Sequence, residues 1–410
     1  MFDVIPRGVV YHPLLQELGD LFRSLFSKRD ESAVRGFEKK IADYMDVKHG
    51  IVFPYARTAF YFALKAADLP EGSEIIMPPI TIKPILDMAL MLKLKPVFVD
   101  LDQDTLCYDC NKLEAAITEK TKAINITYLF GIVPDIDRLI SISRSHDLFV
   151  IEDFSHNINA EFKEKKLGTF GDVGIYSASS IKTFDIHGAG LLFTDNSQIA
   201  TKLAGFQKLL KPPPRFSLAK KIQITFMRNF ATQRFVFSLF TFRVISFLKV
   251  ISRNNALKFL GTRSAQPISK IPDDWMYAFD PLQAEFGMRE LSKLSQMDET
   301  RISNVKQIKQ HLESQGKRLK TPIDRDDSKC VFWQFATYHG DAVESQDILH
   351  KFKIDTAITS LMILSELPKY SCHNETPVAQ WLHDNTLFIP AYPTLKSKDL
   401  NRICDALACL

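Results

Sequence analysis

The sequence predicts an α/β protein: a mostly parallel sheet between layers of helices, followed by a smaller C-terminal α/β unit. Three observations predict it. From residue 51 to residue 151 short apolar runs alternate with helical stretches at a spacing that implies right-handed crossovers between parallel strands. At 410 residues the chain can form two units with a sizeable core. Its 46% hydrophobic and 24% charged residues are those of an ordinary soluble globular protein.

The elements follow in order. Amphipathic spacing predicts helices over 14–26 and 33–45. Strands are expected over 51–53, 74–77, 96–100, 123–129 and 148–151, with helices over 58–66, 84–92, 112–117 and 136–145 between them. The pair Pro78-Pro79 closes the second strand. Beyond these come strands over 173–177 and 191–194. The C-terminal unit reads as a polar helix over 299–314, a strand over 331–338, a helix over 342–352, a strand over 387–389 and a final helix from Lys396.

Ligands of such sheets sit at the carboxyl ends of the strands, so the turns after Phe53, Met77, Leu129, Ile151 and Ser177 should ring one crevice. The first turn carries Tyr55-Ala56-Arg57-Thr58: free N–H groups, a hydroxyl and a guanidinium at a helix start make a phosphate seat, although Thr58 would serve equally as an ordinary N-cap. After Ile151 come Glu152-Asp153-Phe154-Ser155-His156. Asp153 can hold a protonated ring nitrogen of a bound heterocycle or cap the next helix, and His156 can pack on that ligand or be structural. In the stretch 171–190 a strand, two serines (Ser179, Ser180) and a Gly/Ala-rich run frame Lys182. An amine nucleophile needs such a fixed, partly dry place.

Taken together these stretches resemble the DegT/DnrJ/EryC1/StrS sugar aminotransferases, pyridoxal phosphate (PLP) enzymes of fold type I. The resemblance is carried by Val47-Lys48-His49, PVFVDLDQDTLCYD (96–109), LEAAITEKTKAI (113–124), VIEDFSH (150–156), LGTFGDVGIYS (167–177) with Lys182 five residues on, LLFTDN (191–196), LQAEFGMREL (282–291) and LFIPAYPTL (387–395). It implies that Lys182 attaches the cofactor and then shuttles a proton, that Asp153 keeps the pyridinium nitrogen cationic, and that Ser177 with Ala56, Arg57 and Thr58 seats the phosphate. His156 stands beside the ring where the family more often has Gln. Gly171 and Asp172 look structural.

The resemblance further implies a homodimer that moves an amino group, expected from L-glutamate, to a keto-sugar carried on a nucleotide or a lipid, in surface polysaccharide or glycoconjugate biosynthesis. A PLP-dependent sugar dehydratase and a non-catalytic, membrane-associated homologue acting as a scaffold are the rival readings. Three departures bear on them. Ala56 replaces a usual Gly. Ile82 stands where an aromatic residue would stack on the cofactor ring, and Met276 and Ala278 stand where an Asn and an Arg would reach the neighbouring subunit's site.

The chain divides on this reading into an N-terminal helical segment (1–46), a PLP-binding unit (47–210), an insertion (211–274) and a connecting helix with the small unit (275–410). The insertion is distinctive. Between Asn196 and Pro272 there is no Asp or Glu but 14 Lys and Arg, against +4 for the whole chain. Phe237, Phe240, Val244, Phe247, Leu248 and Ile251 share one helical face, with Arg234, Lys249 and Arg253 on the other. Too many charges interrupt it for a transmembrane helix. It fits an interfacial helix on an anionic membrane, or a lid or dimer element whose basic face meets a nucleotide diphosphate. Nothing resembles a nucleic-acid-reading module. The N-terminal residues form no secretory signal, so the expected address is the cytoplasm, with the insertion peripheral to the inner membrane face. Six scattered cysteines fit a reducing compartment. Cys107 and Cys110 form a lone CxxC, either a metal or redox pair or a bland turn, and no metal site is expected.

Overall fold

The computed structural model describes residues 3–251, 268–367 and 375–410. A seven-stranded sheet forms from β1 (His49–Phe53), β2 (Glu74–Met77), β3 (Lys95–Phe98), β4 (Thr121–Thr127), β5 (Phe149–Asp153), β6 (Val173–Ser177) and β7 (Gly190–Thr194), in the order β1-β7-β6-β5-β4-β2-β3. Only β7 runs against its neighbours. The register sets Asp153 opposite Thr127 and Ile175, so the ends of β4 and β5 lie level.

Strand side chains alternate between two buried layers, as a sheet covered on both faces requires. Ile76, Ile124, Val150 and Leu191 enter one layer; Ile75, Met77, Ala123, Ile151 and Leu192 enter the other. The mostly parallel α/β architecture is therefore as the sequence predicts.

Two elements differ from expectation. The polar helix predicted over 299–314 is the last part of one 34-residue helix, Pro281–Ser314, capped by the Asp280 carboxylate on the Leu282 N–H. Its first half carries buried Phe286 and Leu291 and so lacks the polar pattern of its end. The strand predicted over 331–338 forms only at Phe335–Tyr338, because Phe332 adopts a left-handed backbone (φ 50°) that breaks the extended run.

The N-terminal segment docks through a buried polar network. Arg301 donates to Asp298 at 2.5 Å and to the Tyr11 hydroxyl at 2.9 Å, Asn159 donates to Asp298 at 2.8 Å, and Tyr44 donates to Asn159 at 2.6 Å. The C-terminal unit is tied to the crevice where Met362–Ile363 pairs with Ile80–Thr81, just beyond β2.

The insertion opens and closes at one point: the Lys211 N–H donates to the Met276 carbonyl at 3.2 Å and the Ala278 N–H to the Lys211 carbonyl at 2.7 Å. Its first helix, Ser217–Thr232, buries Leu218 and Ile222 against Leu282 and Phe286. The single apolar face expected further on is broken. A π-helical turn over Phe237–Thr241 shifts the phase, so Phe237 is buried while Phe240, Val244 and Phe247 are exposed. Arg234, expected on the free basic face, instead pairs with Asp399 at 2.6 Å and with Asp3. The side chains of Lys249 and Ile251, and the whole of Arg253, Lys258, Arg263 and Cys372, lie outside the described residues. No described helix is long and apolar enough to cross a membrane.

Candidate active site

Strand ends bring the central groups together. At the end of β5 the buried carboxylate of Asp153 accepts the Ser155 N–H at 3.1 Å, and the Ser155 hydroxyl accepts the N–H of Ser177, at the end of β6, at 3.1 Å. Burial raises the pKa of Asp153, partly offset by the Ser155 hydrogen bonds and the Lys182 charge.

Lys182 follows β6 in a turn closed by its own N–H on the Ser179 carbonyl at 2.9 Å. Its side chain keeps some exposed surface, yet desolvation of the amine pushes its pKa down to about 7 against the opposing pull of Asp153. A lysine in that range is a nucleophile and proton carrier near neutrality.

His156 is buried and its Nδ1 accepts the Phe130 N–H at 3.0 Å, which assigns the proton of the neutral ring to Nε2. Burial first, then the Lys182 charge, hold its pKa well below the usual histidine range. The ring stacks on Trp333, centroids 4.0 Å apart, and the Lys182 Nζ lies 4.0 Å from the centre of the same indole. Trp333 is anchored by its Nε1–H on the Ile181 carbonyl at 2.6 Å.

Sequence reasoning missed Trp333. The left-handed Phe332 ejects it from the strand into the crevice, and the only sign was the lost alternation in Val331-Phe332-Trp333-Gln334-Phe335. Ile82, expected over the cofactor ring, is 38% exposed at the N-cap of the Lys83–Met91 helix. An aromatic face beside Lys182 comes from Trp333 of the C-terminal unit.

The turn after β1 leads into the helix Ala56–Ala66, whose N-cap is Tyr55. Thr58 is therefore not the cap: its hydroxyl donates to the Trp275 carbonyl at 2.7 Å. Arg57 lies between the rings of Tyr55 (4.2 Å) and Trp275 (4.1 Å). Gly190 opens β7 directly against this turn, where a Cβ would stand 2.3 Å from the Tyr55 carbonyl oxygen. Only glycine permits that approach.

The loop before β6 is fixed by Glu152. Its buried carboxylate accepts the N–H groups of Gly168, Phe170 and Gly171 and the Tyr128 hydroxyl. Asp172 accepts from Arg144 and from the Val150 N–H. Burial pushes the Cys107 thiol up to about 12, which favours the inert turn over a metal or redox pair. A cavity of about 610 Å³ between Leu312, Tyr338, Trp381 and Leu407 shares no residue with this constellation, and we assign the site by its chemistry.

The chain shares its sequence pattern and its fold with known proteins. The model of the DegT/DnrJ/EryC1/StrS aminotransferase family matches residues 14–211 and 275–408, breaking off across the insertion. GDP-perosamine synthase of Caulobacter vibrioides is 36% identical over 41% of this chain and 45% of its own length. The spore coat polysaccharide biosynthesis protein SpsC of Bacillus subtilis is 33% identical over 42% of this chain and 44% of its own. The chain thus spans less than half the length of these curated relatives. A solved aminotransferase from Psychrobacter cryohalolentis superposes with a TM-score of 0.76 at 19% identity, covering 98% of both chains, and shares the fold.

Proposed function

The chain belongs to the DegT/DnrJ/EryC1/StrS aminotransferase family, and from that premise we propose that it is a PLP-dependent sugar aminotransferase working on a keto-sugar of polysaccharide or glycoconjugate biosynthesis. The observation that carries this is Lys182 in the turn beyond β6, its Nζ 4.0 Å from the centre of the Trp333 ring that stacks on His156, and near enough to the buried Asp153 at the end of β5 for each charge to act on the other.

The residues present fit PLP. Asp153 is placed to hold a proton on a pyridinium nitrogen, the first turn of the Ala56–Ala66 helix is an anion seat, and His156 with Trp333 gives a flat aromatic wall. When bound, PLP supplies a carbonyl for the incoming amine and an electron-poor ring that stabilises negative charge on the adjacent carbon.

Within this proposal Lys182 would hold the cofactor through its amine and would carry the proton between the two carbons that exchange hydrogen. Asp153 keeps the ring nitrogen protonated. His156 is held neutral by burial, which keeps it from competing with Lys182 for a proton. Ala56, Arg57 and Ser177 seat the phosphate, while Thr58 pins the Trp275 segment across the turn. The donor is L-glutamate and the acceptor is a nucleotide- or lipid-linked keto-sugar. The presence of Lys182 favours transamination over dehydration. The division into 1–46, 47–210, 211–274 and 275–410 stands as part of the same proposal.

The visible absorption of the purified chain with added PLP tests it. A band that appears with PLP and is bleached by glutamate faster than by glutamine is the expected result, and faster bleaching by glutamine would overturn the donor proposed. A chain that gives no band, or a band indifferent to both amino acids, would overturn the reading.

For assembly we propose a cytoplasmic homodimer touching the inner membrane face through the insertion. Phe240, Val244 and Phe247 are 65%, 56% and 64% exposed beside exposed Arg243, in a segment free of carboxylates. Light scattering at twice the chain mass, and sedimentation with anionic but not neutral vesicles at low salt, are expected. A monomer, or a chain left in the supernatant with both vesicles, would count against them.

A further inference from the structure

The family match stops at residue 211 and resumes at 275, yet the intervening segment lies across the mouth of the site. On the Ser217–Thr232 helix, Leu218 and Ile222 are buried against the long helix, so the free side turns away from that core. Positions 221, 224, 227 and 228 share the free side at helical spacing. At one end Lys221 rests on the Tyr55 ring beyond β1, its Nζ 4.5 Å from the centroid. At the other Arg228 donates to the Ser180 hydroxyl beyond β6 at 2.5 Å. Ile224 and Met227 therefore stand between two strand ends that border the crevice, and they are 46% and 58% exposed. Ile181, next to Lys182, turns its carbonyl to Trp333 and leaves its side chain 59% exposed.

This apolar rim continues outward. The carbonyl of Ala231, one turn past Met227, accepts the Thr241 hydroxyl at 2.9 Å, and the exposed Phe240, Val244 and Phe247 surround and follow that point. Lys220, Arg228 and Arg243 are exposed among these side chains, and Arg228 meets a hydroxyl rather than a carboxylate. From residue 197 to residue 271 there is no Asp or Glu at all. A surface both apolar and cationic complements an anionic bilayer. It is a poor match for a second copy, because a two-fold contact through this face would set like charges against each other. A mouth that served only water-soluble ligands would have no use for an apolar rim left open to water.

We infer that the crevice mouth faces an anionic lipid surface and draws its acceptor from it: a keto-sugar joined through phosphate to a membrane lipid, with the start of the lipid chain lying on Ile181, Ile224 and Met227. The inference deepens the proposed function and rests on it for the chemistry at Lys182. The exchange balances within that reaction, since the acceptor's C=O becomes CH–NH2 as the CH–NH2 of glutamate becomes C=O. What the rim adds is the choice between the two carriers, a lipid rather than a nucleotide.

The test uses the full chain. Tryptophan is placed on the rim as Ile224→Trp and away from it, at the 45% exposed Ile323, as Ile323→Trp. Vesicles of phosphatidylcholine, alone or with an equal part of phosphatidylglycerol, carry a doxyl quencher in their acyl chains. The anionic vesicles should quench the added emission of Ile224→Trp and leave that of Ile323→Trp, and phosphatidylcholine alone should quench neither. Equilibrium binding then compares farnesyl diphosphate, an apolar chain on an anionic head, with uridine diphosphate, which lacks the chain. The parent should prefer farnesyl diphosphate, and Ile224→Ser with Met227→Ser should weaken it by roughly tenfold or more. Melting temperature shows whether these surface variants fold.

A tryptophan at 224 that neither vesicle quenches, or uridine diphosphate bound more tightly than farnesyl diphosphate, would overturn the inference. So would a dimer that Ile224→Ser with Met227→Ser turns into a monomer, because a second copy would then cover the rim. The two readings fail separately. A PLP band bleached by glutamate in a chain that ignores both vesicles keeps the aminotransferase and removes the lipid-borne acceptor. Quenching at 224 and a preference for farnesyl diphosphate in a chain without the band remove the aminotransferase and leave the lipid-facing mouth standing.

Discussion

Lys182→Ala is expected to abolish the PLP-dependent absorption band and to lower amino transfer by at least about 10²–10⁴-fold, the usual worth of a positioned proton carrier. The pH profile separates this from a general loss of structure. The amine must be uncharged to attack a carbonyl, so the rate at which the parent captures PLP should rise with pH through about 7 and then level off. Asp153 holds that pKa up, so Asp153→Asn should move the rising limb to lower pH.

The sign for stability follows from the same shift. Between about 7 and the ordinary lysine value of 10.5 the unfolded chain binds more protons at Lys182 than the folded one, so this residue's contribution to stability grows with pH across that window. A capture rate still rising at pH 10 would show that the amine is not desolvated, and would remove Lys182 from the role proposed for it.

Asp298→Ala is expected to cost roughly 3–5 kcal/mol in urea unfolding, the scale for stranding a buried charge. Both partners of the Asp298–Arg301 pair are 1% exposed, so neither water nor a surface rearrangement can serve the orphaned guanidinium. Burial raises the Asp298 pKa and Arg301 opposes it, so the two charges depend on each other. Replacing both, as Asp298→Leu with Arg301→Met, should recover most of the loss. A cost below about 1 kcal/mol for the single variant would mean that the network does not dock the N-terminal segment.

Much of this molecule is legible in its sequence. Apolar runs such as Ile75-Ile76-Met77 and Val150-Ile151 announce strands buried on both faces, and the order of turns announces where Asp153, His156 and Lys182 meet. What was not legible depends on single backbone angles and on distant partners. Trp333 enters the crevice because Phe332 turns left-handed, a choice no local propensity signals. Thr58 reads equally as part of a phosphate seat or as an N-cap, because hydroxyls commonly cap helices, but Tyr55 is the cap and the carbonyl that Thr58 serves is Trp275, more than two hundred residues away. The phase of the Phe-rich stretch was read as one unbroken helix, and the π turn at Phe237–Thr241 divided its face between the interior and the solvent.

The closure of the insertion at Lys211 and Ala278 makes it a detachable cassette. Because its two ends are already held together, the entropy of joining them grows only slowly with what lies between, so length there can drift at little thermodynamic consequence. Resizing is limited by what the cassette covers and by the groups it pairs, Asp399 and Asp3 with Arg234 and Glu17 with Asn229. A shortened chain that bridges 211 to 277 with a few residues would uncover Leu282 and Phe286, and those two positions would have to turn polar in the same step for the trimmed protein to remain in solution.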